Sequence, residues 1–457
     1  MVRAACSGGA VVRSGAGRQG VADGAMNKTA SSAGYQVMLA SLLSINFGIV
    51  FFDRNASNFL MPLIQPDLGL NDTQVGLLAS ALSLTWAVAA FGIGVVSDET
   101  GSRKGLLILA TLAFSVCSFL TGIAGSFVML LGARMLMGFA EGGIMPISQA
   151  LVVAEVDPRH RGLAMGVTQN FGSNFFGSFV APVLLPALAL AFGWRHAFWV
   201  AGVPGLLTAL LMWVLVREIP PAARQTHAPA REEPHGPANT GSESGAFVKS
   251  TLREVLAERN VVICAVMGVL LVAYLVVCWA FMPLYLTRVR HYDVQTAGWI
   301  MGTLGISATI GAFAISALSD RFGRRPLLIA MPLIAVILPL GAMYYDGSVW
   351  GLAAIFFVGW GVNGVFPLFM GTVPSESVAP HHLATALGIC MGTGEILGGV
   401  VAPSLAGTLS DQVGRQAPLW LMLVVAIIAA VLAFGLRETA PRVLARRATG
   451  EKVQASA

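Results

Sequence analysis

Twelve apolar segments run along this chain of 457 residues, and each is near or above the roughly 20 residues that a helix needs to cross a bilayer. Their approximate limits are 37–63, 74–96, 106–124, 127–153, 162–188, 197–216, 261–286, 298–319, 326–345, 349–372, 383–409 and 418–436. Only 11% of the residues are charged, against about 25% in a typical soluble domain. No segment shows the alternation of a membrane strand, and helices are the default in hydrocarbon. The sequence therefore predicts an all-α membrane protein of twelve transmembrane helices in two six-helix bundles, and it excludes a soluble enzyme.

The distribution of basic residues predicts the orientation. The two tails and the loops on their side hold 22 of the 28 Lys and Arg residues, so both termini are expected to be cytoplasmic. The predicted parts are a disordered cytoplasmic tail 1–34, an N-terminal bundle 35–216, a cytoplasmic linker 217–260, a C-terminal bundle 261–436 and a cytoplasmic tail 437–457. Residues before Met26 are alternatively an over-long gene start. We expect a multi-pass monomer in the inner (plasma) membrane.

The sequence lacks the spacings that metal ions, nucleotides or nucleophilic catalysis require. Its five cysteines form no CxxC pair, and four of them fall inside apolar segments, where they are predicted to be small buried residues. No GxxxxGK[ST] loop occurs, which argues against an ATP-driven pump. The net charge of +5 reports membrane orientation rather than nucleic-acid binding. We expect no enzyme activity, no metal and no cofactor.

A loop motif is repeated in the two halves. GVVSDETGSRK follows helix 2 and SALSDRFGRR follows helix 8, and fainter copies follow helices 5 and 11. The motif residues are Gly94, Asp98, Gly101, Arg103 and Lys104, then Asp320, Gly323, Arg324 and Arg325, with the fainter Gly193, Trp194, Arg195, Asp411, Gly414 and Arg415. Repeats of this kind indicate three-helix units and are typical of alternating-access transporters.

This motif and the six-plus-six arrangement resemble the Major Facilitator Superfamily over about residues 37–436. The resemblance implies that the loop motif fastens neighbouring helices and gates their rocking motion. Asp98 and Asp320 are suited to accept charge-assisted bonds from arginines or helix N-termini. The alternative is that these charges only set the topology. Ser316 departs from the pattern, which usually has Gly there.

Five ionisable residues stand near the centres of apolar segments: Asp53, Arg54, Arg134, Glu141 and Glu395. Each costs about 2.5–3.5 kcal/mol to insert, so a functional site is the default interpretation. The two helix-4 charges are seven residues apart and share a face, whereas the two helix-1 charges diverge by about 100°. We therefore expect Asp53 to turn toward Arg134 while Arg54 points into a cavity. Protonating a carboxylate would make that cavity positive and favour an anion. The alternative is a structural ion-pair lattice.

The segments VFFDRNASNFL, DLGL, GARMLMGFAEGGIMP and PSESVAP resemble the Anion:Cation Symporter family within the superfamily. The resemblance implies that Asp53 and Glu141 are proton sites, that Arg54 grips the substrate carboxylate, and that Arg134 tunes the proton affinity of Asp53. It also implies proton-coupled uptake of a small organic anion, with galactonate, glucarate, tartrate and phthalate as family examples.

Further substrate contacts are less closely defined by the sequence. The candidates are Asn170, Asn174, Tyr274, Asn363 and Glu395, and the first four are alternatively polar contacts between helices. No basic residue in helices 7–12 lies at the depth of Glu395, and a low dielectric disfavours an unpaired charge. Three interpretations stay open for Glu395: a second proton site, a hydrogen-bond donor to the substrate, or a protonated structural residue.

Three other functions remain open. A Spinster-type lipid or lysolipid transporter also carries Asp-Arg in helix 1 and a Glu after an Arg in helix 4. A drug–proton exporter usually has GPxxGG in helix 5, whereas Gly177 is followed here by SFVAP. A membrane sensor would need an appended soluble domain, and the longest polar loop is only a linker.

Overall fold

The computed structural model describes residues 32–100, 102–157, 159–217, 252–379 and 382–445. Within these ranges the chain is helical and contains no strand. The predictions for residues 1–31, for most of the linker 217–260 and for residues 446–457 lie outside the described residues. The four described cysteines are free and buried, which confirms their predicted character.

The N-terminal half contains six apolar helices. They are α1 (Ala33–Leu68), α2 (Asp72–Thr100), α3 (Arg103–Gly122), α4 (Phe127–Glu155), α5 (Arg161–Phe192) and α6 (Trp194–Leu215). Polar caps at two of the helix starts explain where the chain turns back. The hydroxyl of Ser32 accepts a hydrogen bond from the N–H of Tyr35, and the hydroxyl of Ser126 accepts one from the N–H of Met129.

The C-terminal half repeats this arrangement. Its helices are α7 (Arg259–Arg288), α8 (Val294–Phe322), α9 (Arg324–Tyr344), α10 (Val349–Ser377), α11 (Thr385–Val413) and α12 (Ala417–Ala433). Asp293 and Ser348 cap the starts of α8 and α10. In the described part of the chain, eleven helices are long and apolar enough to cross a membrane, and α12 is shorter at 17 residues.

Five helices change their winding in the middle, which the apolar pattern does not reveal. The α-helical geometry is interrupted at Gly143 in α4 and at Val336 in α9. In α5 there are wide π turns, Val167–Phe171 and Ser173–Val180, and α10 tightens into a 3₁₀ turn. A π segment of α11, Gly394–Val401, contains Glu395. Wide turns of this kind are frequent at functional sites.

Three glycines show that the motif copies share a backbone shape. Gly193, Gly323 and Gly414 follow α5, α8 and α11, with φ of 86°, 108° and 116° and ψ of 152°, 157° and 162°. This conformation is essentially restricted to glycine. The repeat predicted for helices 5, 8 and 11 is therefore also a repeat of geometry. Gly101, after α2, lies outside the described residues.

The two halves touch mainly on one side of the molecule. We call the side on which the described chain begins and ends the terminal side, and the opposite side the far side. The hydrogen bonds described between the halves lie on the far side and join Thr73 and Asp72 to Asp411, Asp72 to Ser410, Ser80 to Val400 and Ser404, Gln295 to Val183, and Arg288 to Pro62. In this conformation the far side is closed.

Candidate functional site

Four charged residues stand near the centres of apolar segments in the N-terminal half, and they meet where α1 crosses α4. Asp53, Arg134 and Glu141 are almost completely buried, and the Arg54 side chain is 18% exposed. Between the two α4 charges, Gly138 lets α2 approach closely, because a Cβ there would lie 2.2 Å from Oγ1 of a threonine on α2. The space beside this glycine is therefore occupied by a neighbouring helix.

The Asp53 carboxylate takes its hydrogen bond from α3. The Oγ of Ser118 lies 2.7 Å from its Oδ1, and its Oδ2 has no hydrogen-bond partner among the described residues. The expected ion pair between Asp53 and Arg134 does not form between these two described residues. Instead, Nη1 of Arg134 donates to the backbone oxygen of Arg54 at 3.4 Å and contacts Sδ of Met137 at 3.3 Å. Its guanidinium also lies over the Phe198 ring, 5.3 Å from the centroid, which holds it toward α6.

Arg54 differs from the other three residues of this group because its side chain is partly exposed. Its Nη1 lies 4.0 Å from Oε2 of Glu141, at the outer limit of an ion pair. The guanidinium carbon lies 5.6 Å from the ring centroid of Phe51 and 5.5 Å from that of Trp86. Two aromatic rings therefore hold a cation whose only described ion-pair partner is distant, and this leaves its donors available to an incoming carboxylate.

Glu395 approaches this cation from the other half. Its carboxylate lies in the electrostatic field of Arg54. A Cβ on Gly399 would lie 3.5 Å from Oε2 of Glu395 and 3.8 Å from Oγ of Ser83, so the carboxylate faces α2. Helices 7–12 contain no basic residue at the depth of Glu395. In the structure the cation that acts on Glu395 is Arg54 on α1. The charge of Arg54 thus acts on a carboxylate of each half.

The other predicted substrate-binding residues differ in their exposure and in their hydrogen bonds. Asn174 is half-buried and Asn170 exposed on α5, and neither amide makes a hydrogen bond to another described residue. Asn363 is half-buried in the 3₁₀ turn of α10, and no described contact joins it to Arg54. Tyr274 is buried, and its hydroxyl donates to the backbone oxygen of Ala335 at 2.9 Å. Its hydroxyl is therefore engaged inside the C-terminal half, and we leave it out of the proposed site.

The motif after α8 builds an ion-pair network on the terminal side. Nη1 of Arg324 lies 2.6 Å from Oδ1 of Asp320, and its Nη2 lies 3.1 Å from Oε1 of Glu376 on α10. Glu438 accepts the backbone N–H groups of Arg324 and Arg325 at 2.7 and 3.2 Å. As the sequence leads us to expect, Asp320 accepts a charge-assisted bond from an arginine. The network fastens α8, α9, α10 and the segment after α12 to one another.

The motif after α2 is described only in part. Gly101 and the surroundings of Gly94 and Asp98 lie outside the described residues. Nζ of Lys104 donates to the backbone oxygen of Trp213 at the end of α6, at 2.7 Å. Arg325 makes the matching bond in the other half, from Nη2 to the backbone oxygen of Phe434 at 2.8 Å. Arg103 donates to the backbone oxygen of Ala150, at 3.2 Å.

Sequence reasoning missed Ser118, Phe198 and Trp86. A signal for Ser118 exists, because the hydroxyl residues of α3 recur at helical spacing and form a polar stripe in an apolar helix. These residues are Thr111, Ser115, Ser118 and Thr121, and all are buried. Phe198 and Trp86 had no such signal, since aromatic residues are common in every span. Among the described residues, no three His, Cys, Asp or Glu side chains are placed to share a metal ion.

Comparisons with known proteins agree with this architecture. A protein from Cupriavidus pinatubonensis named "Probable 4-methylmuconolactone transporter" is 29% identical over 374 residues, which cover 79% of this chain and 81% of that protein. The hexuronate transporter of Bacillus subtilis is 27% identical, over 80% of this chain and 86% of the relative. These relatives are membrane transporters of organic acids, not enzymes.

The fold matches solved transporters as well. The inward-facing, unoccupied structure of a bacterial homologue of the human lysosomal transporter Spinster superposes with a TM-score of 0.72. It covers 88% of this chain and 97% of its own, at 20% identity, and this likeness concerns the fold alone. The sequence profile of the Major Facilitator Superfamily matches residues 43–389 and 277–456. The chain is a multi-pass membrane protein that belongs to the Major Facilitator Superfamily.

Proposed function

We propose that this protein is a proton-coupled symporter that takes up a small organic anion by alternating access. The observation that carries the proposal is Arg54, a partly exposed guanidinium that lies against the rings of Phe51 and Trp86, with Glu141 no closer than 4.0 Å. A guanidinium in this setting matches a carboxylate in bidentate geometry. The transport of organic acids by the relatives supports an anionic substrate.

The charges of the site explain why a proton must accompany the anion. Arg54 and Arg134 face three carboxylates, those of Asp53, Glu141 and Glu395, so the fully ionised group carries a net charge of −1. An entering carboxylate would make this charge more negative in a medium of low dielectric constant, where repulsion is strong. Protonation of Asp53 or Glu141 lowers that repulsion, and protonation of Glu141 also removes the negative charge of the described ion-pair partner of Arg54. Proton and anion then each raise the affinity for the other.

The closed far side fits one end state of the transport cycle. We infer twelve spans with both termini in the cytoplasm, because the basic residues concentrate on the terminal side. The described conformation is then inward-facing. Substrate and proton would leave to the cytoplasm from this state, after which the halves rock to open the far side. The loop motifs after α2 and α8 are proposed to gate that motion.

Uptake into proteoliposomes with an imposed pH gradient tests the proposal. A thermal-shift screen of sugar acids, aromatic acids and short dicarboxylates first selects the substrate, with glucuronate as the initial probe. Asp53→Asn and Glu141→Gln should each abolish proton-driven accumulation, and Arg54→Ala should remove the thermal shift. The matched controls are Asp67→Asn and Arg195→Ala, a surface pair 2.7 Å apart and remote from the site.

Two outcomes would contradict the proposal. Accumulation that survives both carboxylate changes would reject proton coupling through these residues. Movement of a lysophospholipid, with no response to any of the anions, would instead support the Spinster-type alternative. One set of vesicle experiments therefore tests the proton coupling and the substrate class separately.

A further inference from the structure

The hydroxyl of Ser118 behaves differently from the other hydroxyls of the α3 stripe. The side chains of Thr111, Ser115 and Thr121 each donate to the carbonyl oxygen four residues earlier in α3, at 2.8, 2.9 and 2.8 Å. A hydroxyl inside a membrane helix usually donates to this carbonyl oxygen of its own helix. Ser118 instead turns away from its own helix, so its position is set by groups on other helices.

Two acceptors on two different helices compete for the single hydrogen of Ser118. Its Oγ lies 2.7 Å from Oδ1 of Asp53 on α1 and 2.8 Å from the backbone oxygen of Phe198 on α6. A hydroxyl donates one hydrogen and accepts through its lone pairs. An ionised carboxylate only accepts, so the hydrogen then points to Asp53. A protonated carboxyl donates to Oγ, and the hydrogen of Ser118 is then free to point to Phe198.

We propose that Ser118 is a positioning residue that switches its hydrogen between α1 and α6 as Asp53 loses or gains a proton. This inference rests on the proposed function, in which Asp53 is a proton site. No heavy atom needs to move, because both distances already suit either arrangement. The ring of Phe198 lies under Arg134, so the residue that receives the hydrogen also holds the neighbouring cation.

Charged and titratable groups on three helices surround Asp53. The groups that act on Asp53 are Arg134 and Glu141 on α4 and Cys117 on α3, and Arg54 follows it on α1. All of them remain in place when Ser118 is changed. A substitution at Ser118 therefore isolates the hydrogen bond from the charges.

Infrared titration of the full chain in lipid tests the inference without a substrate. The carboxyl C=O band that disappears in Asp53→Asn reports protonation of Asp53. The Ser118 hydrogen bond favours the ionised form, so Ser118→Ala should let the carboxyl keep its proton to higher pH. The midpoint is expected to rise by roughly one to two pH units, the effect of losing one bond to a charged group. The band should also change in frequency, because the carboxyl O–H loses Oγ of Ser118 as its acceptor.

Ser115→Ala is the matched control. This residue is equally buried on the same helix and bonds only within α3, so its loss should leave midpoint and frequency unchanged. Ser118→Thr keeps the hydroxyl and should restore the wild-type midpoint. If Ser118→Ala does not fold, Ser118→Cys keeps a weak donor and should move the midpoint in the same direction by a smaller amount.

The result that overturns the inference is an Asp53 band with the same midpoint and frequency in wild type and in Ser118→Ala or Ser118→Cys. A different result would contradict the proposed function itself. If Asp53→Asn removes no titrating band, then Asp53 is not a proton site. The two failures are thus distinguished by a single pair of spectra.

Discussion

Asp411 at the end of α11 caps the first turn of α2 across the boundary between the halves. Its Oδ1 accepts the N–H of Asp72 at 3.0 Å, and its Oδ2 accepts the N–H and the hydroxyl of Thr73 at 2.8 and 2.6 Å. The start of a helix carries unpaired N–H groups and a partial positive charge, which a carboxylate stabilises. Because the partners belong to different halves, these bonds exist only while the far side is closed.

Asp411→Ala should therefore shift the balance between conformations. Loss of a helix cap costs about 1–2 kcal/mol, and Asp411 is exposed, so the effect belongs in the lower part of this range. The cost falls on the closed state alone. About 1 kcal/mol corresponds to about a 5-fold change in an equilibrium constant. The population with an open far side should rise by that factor.

Distances between spin labels on Leu77→Cys and Val413→Cys measure this population. Both side chains are exposed, on α2 and α11, and the four described native cysteines are buried, so labelling is selective once Cys6→Ser is added. Asp346→Ala is the matched control, since this carboxylate pairs with Arg290 at 2.9 Å within one half. A distance distribution that Asp411→Ala leaves unchanged, or changes no more than Asp346→Ala does, would refute the reasoning.

Three further changes separate packing, gating and coupling. Gly138→Ala places a Cβ 2.2 Å from α2, so it should lower the free energy of unfolding by about 1–3 kcal/mol in thermal melts. Gly132→Ala is the control, because nothing lies within 4 Å of a Cβ there, and it should be neutral in the same melts. Arg324→Ala leaves Asp320 and Glu376 without their cation and should lower the melting temperature, and an unchanged melt would show that the network does not stabilise the fold. Glu395→Gln should change substrate affinity or the pH dependence of uptake; if both stay at wild-type values, Glu395 is a structural residue.

The sequence predicted the architecture because membrane helices are selected by properties that are local along the chain. Apolar length alone identifies the spans, and lipid leaves the backbone few alternatives to a helix. The glycines after α5, α8 and α11 were recognised as motif copies, and their shared φ and ψ values show the same turn. Local signals did not reveal the change of winding in α4, α5, α9, α10 and α11, because it depends on neighbouring helices.

The sequence singles out the charged residues of the candidate site but does not say which of them interact. The free-energy cost of placing a charge in lipid singles out Asp53, Arg54, Arg134 and Glu141, because ionisable residues are rare in membrane spans unless they have a function. Their partners depend on the rotation of each helix and on its neighbours. The structure pairs Arg54 with Glu141 and turns Arg134 to a ring of α6, whereas the divergence of the two α1 charges led us to expect Asp53 to turn toward Arg134.

The sequence by itself therefore determined the helical membrane fold, the twofold repeat and the set of buried charges, all of which follow from hydropathy and spacing. Only the tertiary structure decided that Ser118 donates to Asp53, that Glu395 lies in the electrostatic field of Arg54 from the opposite half, and that Asp411 caps α2. These contacts join residues from 65 to more than 300 positions apart. No periodicity within one helix records them, because they are set by how separate helices pack.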